Sequence, residues 1–177
     1  MTIGILLAGG KSSRFEHGDK AFFIDPNTQK SWLELTHEKL MPLTEKTYIL
    51  ASPSNYFEVK KQFPQAFVLT DHLDFAGEGP LSGLYTVSKL LTKSSVKTDY
   101  LILAVDYPEL TEEHLLQLLQ KENCYVTHHF TLAHLRFNHK QIQTFLAADQ
   151  RRFKDFLSLL NAQPIHLNSD LVNHNFH

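Results

Sequence analysis

The sequence predicts a three-layer α/β/α domain built on a mostly parallel β-sheet. Short apolar runs of strand length alternate along the chain with longer stretches whose apolar residues recur at helical spacing. In addition, a glycine pair or an aspartate directly follows three of the apolar runs. Strands that alternate with helices form a parallel sheet covered on both faces, and ligands bind at the carboxyl ends of its strands.

The predicted strands are short, apolar and bounded by residues that favour turns. Gly9 and Gly10 follow the first strand, while Asp71 and Asp106 each follow a later one. Because the carboxyl ends of parallel strands meet at one edge, we expect these four residues to lie along the same edge of the sheet. The predicted strands are 3–8, 47–51, 67–70, 99–105, 125–126, 131–137 and 164–167.

The segments between these strands carry apolar residues on one helical face. The clearest stripe covers 81–91, where apolar residues return every three or four positions. Pro64 ends a shorter helix, and Thr111 followed by two glutamates is typical of a helix N-terminus. The predicted helices are 32–43, 55–63, 81–91, the segment that begins at Thr111, 141–147 and 153–160.

Composition excludes several classes of protein. The chain has 177 residues and a net charge of −2, which argues against general nucleic-acid binding. No apolar run approaches the roughly 18 residues of a membrane span, and the N-terminus does not resemble a signal peptide. The single cysteine, Cys124, excludes an internal disulfide and is expected to be a small buried residue. We therefore expect one cytoplasmic domain over 1–177 that binds neither nucleic acid nor membrane.

Glycine is distributed unevenly between the two halves of the chain. There are seven glycines in two clusters, and none follows Gly83. Glycine is required where the backbone takes a positive φ or where another group approaches it closely. The clusters therefore predict two loops lined by backbone, and turns in the second half are expected to use Asn, Asp, Pro and Ser.

The first of these loops has the chemistry of a phosphate site. It matches neither G-x-x-x-x-G-K-[ST] nor G-x-G-x-x-G. Its paired glycines nevertheless allow backbone N–H groups to face phosphate oxygens. Arg14 and Lys20 add positive charge, which stabilises the charge that develops during phosphoryl transfer.

Several motifs resemble those of one family. The stretch L-A-G-G-K-S-S-R-x4-D-K from Leu7 to Lys20 looks like the signature of the MobA-like nucleotidyltransferases, which include the molybdenum-cofactor guanylyltransferases. The element G-P-L-S-G-L at 79–84 and the D-Y-P that starts at Asp106 match further family elements in the expected order. Weaker likenesses occur at 129–133 and 172–175. The resemblance implies a Rossmann-like fold of the nucleotide-diphospho-sugar transferase type.

The resemblance also implies a reaction and its participants. A nucleotidyltransferase of this family would transfer GMP from GTP to the molybdopterin cofactor and release pyrophosphate. The N-terminal half would bind the nucleotide, and the C-terminal half would bind the acceptor. Mg²⁺ would be required, and molybdoenzymes or proteins of the cofactor pathway would be possible partners.

Residue roles are carried over from the matching motifs. The resemblance implies that Asp106 holds Mg²⁺, that Lys20 contacts the phosphates near the reacting phosphorus and that Arg14 neutralises the departing pyrophosphate. Asp71 would help to hold the base or ribose. The implied nucleotide-binding set is Leu7, Ala8, Gly9, Gly10, Lys20, Asp71, Gly79, Pro80 and Asp106.

Two features leave alternatives open. Ala51 and Ser52 stand where guanylyltransferases often have an asparagine near the base, so a CTP-dependent molybdopterin cytidylyltransferase or a sugar-phosphate nucleotidyltransferase remains an alternative. The divergent second half leaves room for a nucleotide-binding protein that keeps the fold without catalysis.

Near the end of the chain, Asn173 or Asn175 could approach the metal, or both could belong to a frayed polar tail.

A group of histidines invites a second metal hypothesis. It comprises His128, His129, His134 and His139. Their spacing matches neither H-E-x-x-H nor a zinc framework of cysteine and histidine, although alternate residues on a strand could share a face. One of these imidazoles could instead line an acceptor pocket and bind phosphate when protonated.

Overall fold

The predicted strands and helices are present in the computed structural model, which describes residues 1–10, 18–91 and 95–168. The strands are β1 (Thr2–Leu7), β2 (Lys46–Leu50), β3 (Phe67–Leu69), β4 (Thr98–Ala104), β5 (Cys124–Val126), β6 (His129–Phe137) and β7 (Gln163–Ile165). The α-helices are α1 (Trp32–Leu40), α2 (Tyr56–Gln62), α3 (Pro80–Leu90), α4 (Glu112–Leu119), α5 (His139–Ala147) and α6 (Phe153–Leu159).

The bounds of most elements lie within one or two residues of the predicted ones. The main difference is the predicted helix 32–43, in which α1 ends at Leu40 and a 3-10 turn covers Met41–Leu43. Pro42 has no backbone N–H and cannot continue the hydrogen-bond ladder of an α-helix, so the helix tightens there. Thr111 caps α4 as predicted, since its side chain accepts from the backbone N–H of His114.

The seven strands of the described ranges belong to one sheet with the order β3-β2-β1-β4-β6-β5-β7. Strands β3, β2, β1 and β4 are mutually parallel, and β7 is parallel to β5. Strand β6 is antiparallel to both of its neighbours, β4 and β5. The predicted mostly parallel sheet is confirmed, with one reversed strand in the second half of the chain.

Helices cover both faces of the sheet and bury a core on each side. Neighbouring residues of β1 point to opposite faces, so Ile5 and Leu6 belong to different clusters. The cluster around Ile5 includes buried residues of α3, α5 and α6, and the cluster around Leu6 includes residues of α1, α2 and α4. This arrangement is the three-layer α/β/α architecture that the sequence predicts.

The register of the parallel strands aligns their carboxyl ends. Leu7 of β1 is paired with Leu50 of β2 and with Ala104 of β4, and Leu50 is in turn paired with Leu69 of β3. The loops that follow these four strands therefore start side by side. We call this part of the molecule the loop edge. Among the described residues, no helix has the length and hydropathy of a membrane span.

Candidate active site

The centre of the loop edge holds a lysine beside an aspartate. Asp106 follows β4, and Lys20 is the first residue of a short 3-10 turn over Lys20–Phe22. The Nζ atom of Lys20 lies 3.4 Å from Oδ1 of Asp106, and their side chains are 11% and 19% exposed. These two residues are 86 positions apart in the chain. The fold thus brings together an ammonium and a carboxylate that only the family resemblance had linked.

Asp19 sets the position of Lys20. It directly precedes the 3-10 turn, and its Oδ1 atom accepts a hydrogen bond of 3.0 Å from the backbone N–H of Ala21. Ala21 is fully buried in the core beneath the edge. The turn is therefore tied at its start by a side chain and anchored in its middle by packing, which limits where the Lys20 backbone can lie.

Gly9 packs directly against the loop that follows β2. A Cβ atom at Gly9 would lie 2.8 Å from the backbone nitrogen of Ser52 and 2.9 Å from the carbonyl carbon of Ala51. At Gly10, by contrast, a Cβ would meet none of the described atoms within 4 Å. Gly9 therefore allows close contact between two loops, and no such contact with the described residues explains Gly10.

Asn55 connects three parts of this edge and was not among the predicted site residues. Its Nδ2 atom donates to the carbonyl oxygen of Ala8 at 3.0 Å and to Oδ2 of Asp19 at 2.8 Å. Its Oδ1 atom accepts from the backbone N–H of Ser52 at 2.8 Å. An asparagine just before a helix usually indicates an N-cap, yet this side chain makes no cap hydrogen bond to α2. The contacts of Asn55 therefore differ from those that its place before a helix indicates.

Asp71 organises the loop between β3 and α3. Its Oδ2 atom accepts a hydrogen bond of 3.1 Å from the backbone N–H of Gly77. Burial raises the pKa of the Asp71 carboxyl above its usual value, and the bond from Gly77 opposes that rise. Gly77 and Gly79 have φ values of 74° and 100°, which favour glycine. Gly79 then precedes Pro80, the first residue of α3.

A residue of the C-terminal half contacts the loop between β3 and α3. Nε of Arg151, in the segment between α5 and α6, lies 2.9 Å from Oε2 of Glu78. The Arg151 guanidinium also lies 5.3 Å from the centre of the Phe75 ring. On the inner side, the Tyr85 hydroxyl of α3 donates to Asp74 at 2.7 Å. The loop is thus braced by both α3 and the second half of the chain.

The segment after Asp106 is also held from two sides. Nζ of Lys39 in α1 donates to the carbonyl oxygen of Pro108 at 2.8 Å. The Tyr107 hydroxyl shares a hydrogen bond of 3.1 Å with Nδ1 of His129, at the start of β6. Burial lowers the pKa of His129, so this imidazole favours its neutral form. Because β6 is reversed, its first residue reaches the loop edge.

The remaining histidines of the sequence-predicted group do not converge. His134 and His139 bond to separate partners, the carbonyl oxygen of Lys121 at 2.6 Å and Oγ of Ser88 at 2.9 Å. His128 takes a turn conformation with a φ of 66° before β6. Within 1–10, 18–91 and 95–168, no three His, Cys, Asp or Glu residues form a group able to hold a metal ion. The second metal hypothesis therefore has no support in these ranges.

The structure brings together some of the predicted site residues and separates others. Ala8, Gly9, Lys20 and Asp106 lie at adjoining strand ends, whereas Asp71 follows β3, two strands away from β1. The predictions for Arg14, Asn173 and Asn175 lie outside the described residues. Cys124 is buried as predicted, and burial raises the pKa of its thiol to about 11, so it stays protonated near neutrality.

Two solved structures with the same fold are nucleotidyltransferases. A nucleotidyl transferase from Methanothermobacter thermautotroptrophicus superposes with a TM-score of 0.70 over 93% of this chain and 87% of that chain, at 11% identity. The Francisella tularensis 2-C-methyl-D-erythritol 4-phosphate cytidylyltransferase has a TM-score of 0.62 and covers 99% and 92%, at 13% identity. At these identities the likeness confirms the Rossmann-like fold.

Proteins of similar sequence indicate which family of nucleotidyltransferases the chain resembles. A probable molybdenum cofactor guanylyltransferase of Geobacillus sp. is 30% identical over 162 residues, which are 85% of this chain and 78% of that protein. A Bacillus cereus protein with the same name is 30% identical over 122 residues, 67% of this chain, and the match spans 55% of the Bacillus protein. The model of the MobA-like NTP transferase domain matches residues 4–168. The chain is therefore a nucleotidyltransferase and belongs to the MobA-like NTP transferase domain family.

Proposed function

We propose that this protein transfers GMP from GTP to the phosphate of the molybdenum cofactor and releases pyrophosphate. The family and the printed names of the relatives support this substrate pair. The single observation that carries the proposal is the contact of 3.4 Å between Lys20 Nζ and Asp106 Oδ1 beside the glycine loop. It provides a cation and a carboxylate at the edge where nucleotides bind in sheets of this kind.

In the proposed reaction, an oxygen of the acceptor phosphate attacks the α-phosphorus of GTP. A new P–O bond forms, the bond from the α-phosphorus to the bridging oxygen breaks, and that oxygen leaves with pyrophosphate. The attacking phosphate is already an anion, so no general base is required. The protein lowers the barrier by positioning the two phosphates and by stabilising charge on the oxygens around phosphorus.

Lys20 and Asp106 have complementary functions in this proposal. The Lys20 ammonium donates to phosphate oxygens near the α-phosphorus, where negative charge develops. Asp106 would hold Mg²⁺, which binds through one or two carboxylates together with phosphates and water. One partly exposed carboxylate beside a phosphate loop fits that requirement. When bound, Mg²⁺ supplies further positive charge to the triphosphate.

The remaining nucleotide contacts follow from the order of the loops. Leu7, Ala8, Gly9 and Gly10 would lie against the nucleotide. Gly79 and Pro80, at the start of α3, would contact it as well, and Asp71 would help to hold the base or ribose. Arg14 would neutralise the departing pyrophosphate. The acceptor would bind on the side of the C-terminal half, and protein partners would receive the product.

The proposal is tested with the full chain, Mg²⁺, molybdenum cofactor and each of GTP, CTP, ATP and UTP. We expect pyrophosphate release and formation of the dinucleotide product with GTP. We also expect GTP with Mg²⁺ to raise the thermal midpoint more than the other nucleotides, because a ligand that binds the native state stabilises it. Product formation with CTP but not GTP would contradict the guanylyl assignment. Nucleotide binding without product from any pair would contradict catalysis.

A further inference from the structure

The side chain of Asn55 lies where three loops of the edge meet. It is part of a residue that is only 4% exposed. Its Nδ2 atom donates to two groups, Ala8 O and Asp19 Oδ2, and its Oδ1 atom accepts from the backbone of Ser52. The two amide hydrogens and the amide oxygen are thus all used within the protein.

The planar amide of asparagine suits this position. The position requires two donors, directed at Ala8 O and Asp19 Oδ2, and one acceptor for the Ser52 N–H. An aspartate of the same shape offers no donor and would place a second carboxylate against Asp19. An apolar residue would leave buried polar groups unsatisfied, which is costly. Asparagine therefore joins the loops in a way that neither aspartate nor a hydrophobic residue reproduces.

The contact with Asp19 leads directly to the lysine. Asp19 uses Oδ2 for Asn55 and Oδ1 for the N–H of Ala21, so one carboxylate joins the loop after β2 to the 3-10 turn. Lys20 is the first residue of that turn, and its Nζ atom lies 3.4 Å from Asp106. The position of the ammonium therefore depends on an amide in a different loop.

We propose that Asn55 is a positioning residue, which holds Lys20 in place for nucleotidyl transfer through Asp19 and ties the same turn to the glycine loop through Ala8. This inference rests on the role proposed above for Lys20. Asn55 itself does not bind substrate, because its amide atoms already have protein partners. It also couples the loop at Ala51–Ser52, where the family resemblance implies the base site, to the position of the lysine.

The first test separates positioning from folding. We expect Asn55→Ala and Asn55→Asp to lower kcat by about 10- to 100-fold, because a displacement near 1 Å can have such an effect, while KM for GTP changes less than about threefold. Asn138→Ala is the matched control. Asn138 caps α5 after β6, at the edge of the sheet opposite the site, and also makes side-chain hydrogen bonds to backbone.

We expect the control, Asn138→Ala, to lower the free energy of unfolding and to leave kcat unchanged. If Asn55→Ala lowers stability as Asn138→Ala does and leaves kcat within twofold of the parent protein, Asn55 has only a structural role and the inference is wrong.

The second test isolates the contact between Asn55 and Asp19. An asparagine at position 19 has a single amide oxygen, so Asp19→Asn can accept from Asn55 or from the Ala21 N–H but not from both, and Asn55→Asp places two carboxylates face to face. The double variant restores one hydrogen bond with reversed polarity, so we expect it to recover at least about threefold in kcat over the poorer single variant. Multiplicative losses in the double variant would show that this contact does not transmit the effect.

A third test does not depend on turnover. Acetic anhydride modifies exposed amines, and Lys20 is mostly buried beside Asp106, whereas the side chain of Lys30 is 46% exposed and serves as an internal reference. We expect Asn55→Ala to raise acetylation of Lys20 relative to Lys30 by at least about threefold. Should that variant not fold, Asp19→Ala removes the same contact from the other side. Unchanged labelling would overturn the positioning role, whereas absence of product from the parent protein would overturn the proposed function alone.

Discussion

The two halves of the sheet reach the same architecture by different local means. In the first half, four parallel strands place all their following loops on one edge, and Gly77 and Gly79 supply positive φ there. In the second half, β6 runs in the opposite direction. Among the described residues of the second half, the positions with positive φ are occupied by Asn123, His128, Asp149 and Asn161.

This difference shows what glycine contributes to the protein. Asparagine and aspartate tolerate left-handed backbone, so ordinary turns do not need glycine. The predicted use of Asn and Asp in the turns of the second half is confirmed, and His128 was not expected there. At Gly9, however, no side chain fits against Ser52. Glycine is thus required at position 9, where two loops of the candidate site approach each other.

The largest expected effect tests whether residues of the first half carry out catalysis. We expect Asp106→Ala to lower pyrophosphate release at least about 10³-fold and Lys20→Ala at least about 10²-fold, because each removes charge from the reacting phosphates. Steady-state turnover with GTP, Mg²⁺ and acceptor measures both. Lys30→Ala is the control, since Lys30 pairs with Glu38 on the surface. Turnover of Asp106→Ala near that of the parent would refute the metal assignment.

A second prediction compares the two glycines of the first loop. Gly9→Ala would place a methyl group against the backbone of Ser52, which cannot rotate away, so we expect a loss of about 2–3 kcal/mol in the free energy of unfolding. Gly10→Ala meets no described atom within 4 Å and should change stability by less than about 0.5 kcal/mol. Urea denaturation measures both. Equal effects would mean that close packing does not explain the glycine at position 9.

A third prediction sets a glycine turn of the first half against an asparagine turn of the second. Gly79→Ala forces a methyl-bearing residue to a φ of 100° and should cost about 1–3 kcal/mol of stability. Asn161→Gly at a φ of 53° should change stability by less than about 1 kcal/mol, because asparagine and glycine both accept this region. Urea denaturation measures the change in stability of both variants. A larger loss at Asn161 would overturn the distinction drawn between the two halves.

The smallest effect concerns pH and a residue of the second half. Burial raises the pKa of Cys124 from 9.0 to about 11, so the folded protein retains a proton that the unfolded chain releases first. The resulting stabilisation is complete below about pH 9 and is lost as the pH rises towards about 11. Cys124→Ala should therefore show a decline in stability that is shallower by about 1 kcal/mol for each pH unit of that interval. Identical slopes in both proteins would contradict this assignment.

Much of the fold could be predicted because its signals are local. The stripe at 81–91 needs only the spacing of apolar residues, and the cap at Thr111 needs only its immediate neighbours. The loop edge followed from the rule that parallel strands end together. The reversal of β6 could not be predicted in this way, because an apolar run has the same pattern in either direction.

The candidate site was predictable only in part. The glycine loop, Lys20 and Asp106 carry family motifs, and the structure adds that the last two are in contact. Asn55 was missed because it stands at the start of the predicted helix 55–63, where an asparagine has an ordinary local explanation. Its actual partners, Ala8 and Asp19, lie in a distant part of the chain. No local pattern identifies such partners.

The sequence by itself determined the order of strands and helices, the family and the residues that carry the charge. Apolar spacing, capping residues and motifs act over a few positions, so they can be read without the fold. The tertiary structure alone decided which loops touch, that Gly9 is required by Ser52, and that Asn55 holds the turn of Lys20. These contacts join residues far apart in the chain, and their geometry arises only when the strands pair in register.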